Sequence, residues 1–209
     1  MLKRKGLDKK NMLIPQKNNG LEAGIDEAGR GCLAGPVTAA AVILPYQFNL
    51  KDLNDSKKLS ATALEELRLK IEDEALCYGV AHVAPAQIDG INILNASIKA
   101  MHLALDQLRL EPSHILVDGN RFYTYKEIPF ECIIKGDGKF QNIAAASILA
   151  KTHRDAYMKK LSIDFPAYGW DQNKGYPTQK HRKAIRKFGV TPHHRNSFQL
   201  LPRQLSIPF

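Results

Sequence analysis

No apolar run in this chain approaches the roughly 18 to 20 residues needed to cross a bilayer, so no segment reads as a transmembrane helix. The basic start Lys3, Arg4, Lys5 is followed only by the short group Met12, Leu13, Ile14, too little for the core of a signal peptide. Cysteine is scarce. Cys32, Cys77 and Cys132 lie far apart without metal-type spacing, so they read as small buried hydrophobes rather than disulfide partners or zinc ligands. These absences point to a reducing, cytoplasmic setting and no membrane association. There is no internal repeat. There is also no Gly-x-x-x-x-Gly-Lys-Ser/Thr loop, which argues against a phosphotransferase that cradles small nucleotides that way.

The 209 residues are 44% hydrophobic, enough to bury a substantial core, and carry a formal charge of +9. That charge is unevenly spread. Residues 1–20 hold six basic side chains and one acidic; residues 21–150 hold 12 basic and 17 acidic; residues 151–209 hold 12 basic and 3 acidic. Basic flanks attract phosphate chains, whereas clustered carboxylates repel them unless divalent cations intervene. The pattern suggests metal-assisted chemistry on nucleic acid. The simpler alternative is a solvated basic face without a partner.

Residues 1–20 read as a flexible basic arm that contributes little to the fold, ahead of a catalytic domain over 21–209. Strands are expected over Leu21–Asp26, Pro36–Leu44, Cys77–Val83, His114–Val117 and Cys132–Ile134. Ser60 or Thr62 can cap a helix running through Leu64, Leu67 and Ile71. Pro85 and Gly90 bracket a short turn or helix before a long amphipathic helix over Ile91–Leu110. Asn142–Leu161 is proline-free and alanine-rich, and a basic helix spans about Thr178–Phe188 inside a C-terminal segment that starts near residue 164. Strands that then alternate with helices give a mixed α/β protein.

The densest stretch is Gly24-Ile25-Asp26-Glu27-Ala28-Gly29-Arg30-Gly31-Cys32-Leu33-Ala34-Gly35-Pro36. Two acids end an apolar strand, Gly29 and Gly31 let backbone approach a ligand, and Arg30 offers charge to a phosphate. Glycines in a turn are often only turn chemistry. Asp118 ends the next candidate strand, although an Asp-Gly turn explains it equally simply. If that strand lies beside the one ending in Asp26, backbones about 4.8 Å apart bring the two carboxylates together over a hard cation. Asp137, in Lys135-Gly136-Asp137-Gly138-Lys139, is a third candidate with the same turn alternative. Asp155, next to Arg154 in a helix, reads as structural.

The opening stretch resembles the signature of bacterial ribonuclease HII. Further blocks follow in that family's order: Asp55-Ser56-Lys57-Lys58-Leu59-Ser60, Val117-Asp118-Gly119, Lys135-Gly136-Asp137, Ala144 to Lys151, Arg154-Asp155, Lys174-Gly175-Tyr176-Pro177-Thr178 and His194 to Phe198. The resemblance implies a ribonuclease H-like fold, a mixed central sheet flanked by helices with a small helical C-terminal extension. It implies that Asp26, Glu27, Asp118 and Asp137 hold two Mn²⁺ or Mg²⁺ ions for in-line hydrolysis. It further implies that Gly29, Arg30 and Gly31 meet a ribose 2′-hydroxyl, that Tyr176 packs on the adjoining deoxyribose, and that Lys57, Lys58, Ser147 and Lys151 contact phosphates. Tyr176 alone would read as a turn aromatic, and the lysines and serine as solvated or helix-face residues. The implied activity is that of a monomeric endoribonuclease. It would cut RNA in RNA–DNA hybrids and nick 5′ of single ribonucleotides in duplex DNA, leaving 5′-phosphate and 3′-hydroxyl ends. A non-catalytic nucleic-acid binding module would explain the charge but not the acids. Cys32 stands where the family often has proline.

Overall fold

The computed structural model describes residues 13–15, 17, 20–48 and 60–202. Five strands form one mixed sheet: β1 (Glu22–Ala28), β2 (Val37–Ile43), β3 (Cys77–Val83), β4 (His114–Asp118) and β5 (Phe130–Ile133), in the order β3-β2-β1-β4-β5. β1 pairs antiparallel with β2 and β2 with β3, while β4 lies parallel to β1 and β5 parallel to β4. Among the described residues five α-helices accompany them: α1 (Ala61–Glu74), α2 (Pro85–Asp106), α3 (Gln141–Asp164), α4 (Trp170–Asn173) and α5 (Gln179–Phe188). The mixed α/β reading holds.

Strand alternation sorts the core into two layers. Val37, Ala39, Ala41 and Ile43 of β2 join Ile25, Ile115 and Val117 against Ile98, Met101 and Leu105 of α2. Ala40 and Val42 turn the other way, onto Ala144, Ile148 and Leu149 of α3 and onto Leu67 and Ile71 of α1. Small residues bring α3 close to the sheet: a Cβ on Gly24 would lie 2.2 Å from the Asn142 carbonyl carbon and 2.4 Å from the Ile143 nitrogen. Asn142 is fully buried and bridges the junction. Its Oδ1 accepts from the Leu44 N–H at 3.2 Å and its Nδ2 donates to the Glu22 carbonyl at 3.0 Å.

Element ends follow local chemistry. Ser60, rather than Thr62, caps α1, accepting from the Ala63 N–H, an interaction of about 1 kcal/mol. The expected break after Gly90 is a kink inside α2 at Asn92, where φ is 64° and the side chain accepts from the Leu94 and Asn95 N–H groups. Thr178 caps α5 through the His181 N–H. Leu13 and Ile14 depart from the expected arm. Leu13 is buried among the α3-side residues, and Ile14, its side chain exposed, exchanges backbone bonds with Lys139 and Gln141 at the start of α3.

The C-terminal extension has its own apolar cluster of Leu33, Ala34, Met158, Tyr168, Trp170, Ala184 and Ile185. Trp170, His181 and His194 meet at its centre, all 1% exposed or less. Trp170 Nε1 donates to His181 Nε2 at 3.0 Å, and His194 Nε2 lies 3.3 Å from that same atom. The Thr191 N–H donates to His194 Nδ1 at 2.9 Å. Burial lowers the pKa of both histidines, that of His194 to about 4 with the His181 ring next in effect, so both are neutral at pH 7.

Candidate active site

β1 and β4 run side by side in the same direction, with Ile25 opposite Val117, so Asp26 and Asp118 occupy the next position along the pair. Both acids emerge at the strand ends. Asp26 is 7% exposed, and its carboxyl is raised well above the usual range. Burial is the main cause, followed by the neighbouring charge of Glu27, while the Ser147 hydroxyl lowers it and Asp118 raises it further. Glu27 is raised by burial too, against the pull of Arg30. Its Oε1 accepts from Arg30 Nη1 at 2.9 Å, but Oε2 is buried and takes no hydrogen bond from any described residue. Glu27 and Asp118 share a cleft with Leu94, Ser97 and Met101 of α2.

Asp118 Oδ1 accepts from the Gly136 N–H at 2.6 Å, which holds a short 3₁₀ turn, Gly136–Gly138, beside β4. Asp137 sits half-buried in that turn. The structure thus brings Asp26, Glu27 and Asp118 into mutual electrostatic contact, with Asp137 one turn away. Among the described residues no three His, Cys, Asp or Glu side chains are gathered closely enough to chelate an ion as they stand. Glu27 leans on Arg30 and Asp118 on Gly136. A set of hard oxygen donors that repel one another, with Glu27 Oε2 buried and accepting from none of the described residues, still fits a divalent cation.

The remaining candidates are dispersed around this centre. Gly29, Arg30 and Gly31 follow β1 directly, with Gly31 exposed and nothing within 4 Å of where its Cβ would lie. Ser147 faces Asp26 from α3. Lys151 is exposed and pairs with Asp155 one helical turn away at 2.7 Å. It lines a groove of about 820 Å³ with Lys159 and Lys174. Tyr176 is 44% exposed, its ring face 5.9 Å from the Arg154 guanidinium carbon, and burial raises its hydroxyl pKa. Lys57 and Lys58 lie outside the described residues.

Sequence reasoning missed the two side chains that hold this region together. Arg154, 1% exposed, donates from Nε to the Pro36 carbonyl, from Nη2 to Ala34 and from Nη1 to Lys174. Arg195, fully buried, donates to the carbonyls of Gly35 and Arg30. The segment that follows the glycine turn is also paired on both sides, Leu33 N–H with the Gly175 carbonyl and Gly35 N–H with that of His193. The only sequence signal was an arginine within each of two blocks that resemble the family.

Comparison with known proteins bears on the family and the fold. Residues 23–201 match the family model described as Ribonuclease HII. The ribonuclease HII of Christiangramia forsetii is 65% identical over 187 residues, covering 90% of this chain and 94% of that protein. That of Parabacteroides distasonis is 58% identical over 199 residues, covering 95% and 100%. Among solved structures, the ribonuclease H2 of Pyrococcus horikoshii superposes with a TM-score of 0.72 at 28% identity, covering 86% of this chain and 94% of that one. The ribonuclease HII of Archaeoglobus fulgidus, solved in complex with PCNA, gives 0.70 at 26%, covering 88% and 98%. The mixed sheet is therefore of the ribonuclease H type, the rival of a non-catalytic binding module gives way to a ribonuclease H, and the chain belongs to the ribonuclease HII family.

Proposed function

We propose that this ribonuclease H nicks on the 5′ side of single ribonucleotides embedded in duplex DNA as well as cutting the RNA strand of RNA–DNA hybrids, leaving 5′-phosphate and 3′-hydroxyl ends. The observation that carries the reading is the direct succession of Asp26 and Glu27 at the end of β1 by the open turn Gly29-Arg30-Gly31, with Asp118 alongside. On this reading, hydrolysis at phosphorus and inspection of the sugar would be carried by residues only a few positions apart.

Asp26, Glu27, Asp118 and Asp137 would hold the metal, Mn²⁺ or Mg²⁺, which when bound supplies an activated water and charge stabilisation at the departing 3′ oxygen. Burial and the charges of Glu27 and Asp118 disfavour the ionised form of Asp26, and a neighbouring cation would offset both. Glu27 Oε2 offers a lone pair that no described residue uses. The open backbone of Gly29 to Gly31 can both donate to and accept from a 2′-hydroxyl. Tyr176, with the Arg154 guanidinium 5.9 Å from its ring, presents a flat apolar surface suited to a sugar lacking that hydroxyl. Lys151, with Lys159 and Lys174 along the same groove, supplies phosphate attraction.

The test compares duplexes with one ribonucleotide, four or none, with Mn²⁺, Mg²⁺ or EDTA, in the parent and in Tyr176→Ala. The parent cuts the first two only with metal and never the third. Tyr176→Ala slows cutting at the single ribonucleotide by on the order of a hundredfold, the cost of misplacing the scissile phosphate by about 1 Å. Equal rates for parent and variant on that duplex would remove Tyr176 from sugar reading.

A further inference from the structure

The turn Gly29-Arg30-Gly31 is gripped from inside, and the grip decides which way its peptide groups face. Arg195 Nη1 donates to the Arg30 carbonyl at 2.8 Å, and its Nε donates to the Gly35 carbonyl at 3.0 Å. A trans peptide points its carbonyl and its N–H in opposite directions, so drawing the Arg30 carbonyl inward turns the Gly31 N–H outward. Gly31 is exposed and its surroundings are open, and none of the described residues accepts a hydrogen bond from its N–H. The Arg195 backbone is itself fixed. Its N–H donates to the Leu33 carbonyl at 2.8 Å, and Ala34 bridges antiparallel to His194.

This arrangement is expensive as mere scaffolding. A cation is fully buried with one terminal nitrogen, Nη2, lacking any partner among the described residues, and its ring contact is Phe198, 5.2 Å from the guanidinium carbon. What only an arginine offers is a planar fork that engages two carbonyls five residues apart at once. Arg154 grips the Ala34 and Pro36 carbonyls of the same loop from α3, so the far half is secured without Arg195. The Arg30 carbonyl is the bond that Arg195 alone supplies.

We propose that Arg195 is a positioning residue for ribose recognition: by holding the Arg30 carbonyl inward it keeps the Gly31 N–H aimed at the 2′-hydroxyl of the substrate. This rests on the reading that the glycine turn meets the ribose, and the two are separable. With protein labelled by ¹⁵N-glycine, in EDTA so that nothing is cut, the Gly31 amide signal shifts on adding a duplex with one ribonucleotide and not on adding the all-deoxy duplex. Affinities for the same two duplexes, by fluorescence anisotropy, give a preference ratio. Arg195→Lys, which keeps the charge but loses the fork, lowers that ratio about fivefold, the scale of one hydrogen bond, while affinity for the all-deoxy duplex is retained. Phe198→Leu removes the ring beside the guanidinium without removing a donor, and gives a smaller loss of the same sign. It decides the question should Arg195→Lys not fold. A residue serving only stability would weaken both duplexes together and leave the ratio intact. A responsive Gly31 amide with unchanged ratios in the folded variants overturns the role of Arg195 and keeps the reading of the turn. A silent Gly31 amide overturns both.

Discussion

Asp118 shows how much chemistry can rest on one charge. It lies beside Asp26 on a parallel strand, raises the carboxyl of both Asp26 and Glu27, and has one oxygen committed to the Gly136 N–H. Asp118→Asn keeps an oxygen for that bond but removes the charge. Cleavage should fall by at least about a hundredfold while duplex affinity stays within a few-fold, measured by single-turnover rates and anisotropy. Residual turnover within tenfold of the parent would refute this. In EDTA the same variant should be no less thermally stable than the parent, because it relieves repulsion among buried carboxylates. Acids at strand ends were legible in the sequence because strand polarity and an Asp-Gly pair mark where a chain leaves a sheet. The arginines were not. Arg154 and Asp155 read as a surface pair on a helix, yet successive helical positions point in different directions. Asp155 turns to Lys151 at the surface, while Arg154 turns inward to three carbonyls.

At the scale of elements, the contact of α3 with β1 is the one that aims Ser147 at Asp26 and leaves no room for a side chain between them. Gly24→Ala would drive a methyl to within 2.5 Å of three backbone atoms of Asn142 and Ile143, none of which can rotate away. A loss of about 3 kcal/mol, the upper end for overpacking, is expected from urea denaturation. A loss under about 1 kcal/mol would mean that α3 yields easily. The histidine pair of the C-terminal extension makes stability depend on pH. His194 titrates near pH 4 in the fold and near 6.5 unfolded, and His181 shifts in the same direction. Between those values the unfolded chain binds more protons, so stability is full above about pH 6.5 and falls as pH drops toward 4, by on the order of 3 kcal/mol for His194. Asp26 and Glu27, whose carboxyls are raised, act in the opposite sense. The readout is therefore the difference between parent and His194→Gln, which should be less stable at pH 7.5 and show a shallower fall toward pH 5. Parallel curves would exclude the histidine as the cause. Composition placed α3 and α5 to within a few residues, a proline-free alanine-rich run for the one and a basic run for the other, whereas the four-residue α4 lay in a stretch of Pro, Gly and aromatic residues that offered no helical pattern. Composition could not show the meeting of His181, His194 and Trp170, since residues 170, 181 and 194 share no local pattern.

At the scale of the whole molecule, the basic residues that the sequence concentrates in its last third include an exposed set on one helix. On α5, Lys180, Lys183, Arg186 and Lys187 are exposed, whereas His181, Ala184 and Ile185 are buried against the extension's core. Removing the helix would expose that core, so changing all four exposed residues to Gln is the cleaner experiment. The slope of log affinity against log salt should flatten by about 0.9 for each phosphate that is no longer neutralised, with metal dependence of cleavage unchanged. An unaltered slope would place the duplex elsewhere. The sheet order and the clamp around the glycine turn depend on bonds between distant residues, which no local reading of sequence reaches. One of them sets a timetable. Arg30 and Arg195 are separated by 165 positions, and β1 and β4 pair using residues no later than 118. During synthesis the carboxylates can therefore assemble while Arg195 is still unmade. A chain interrupted before that residue would keep its acids and lack the arginine proposed to aim the turn, so on that proposal competence to recognise ribose would follow assembly of the carboxylates.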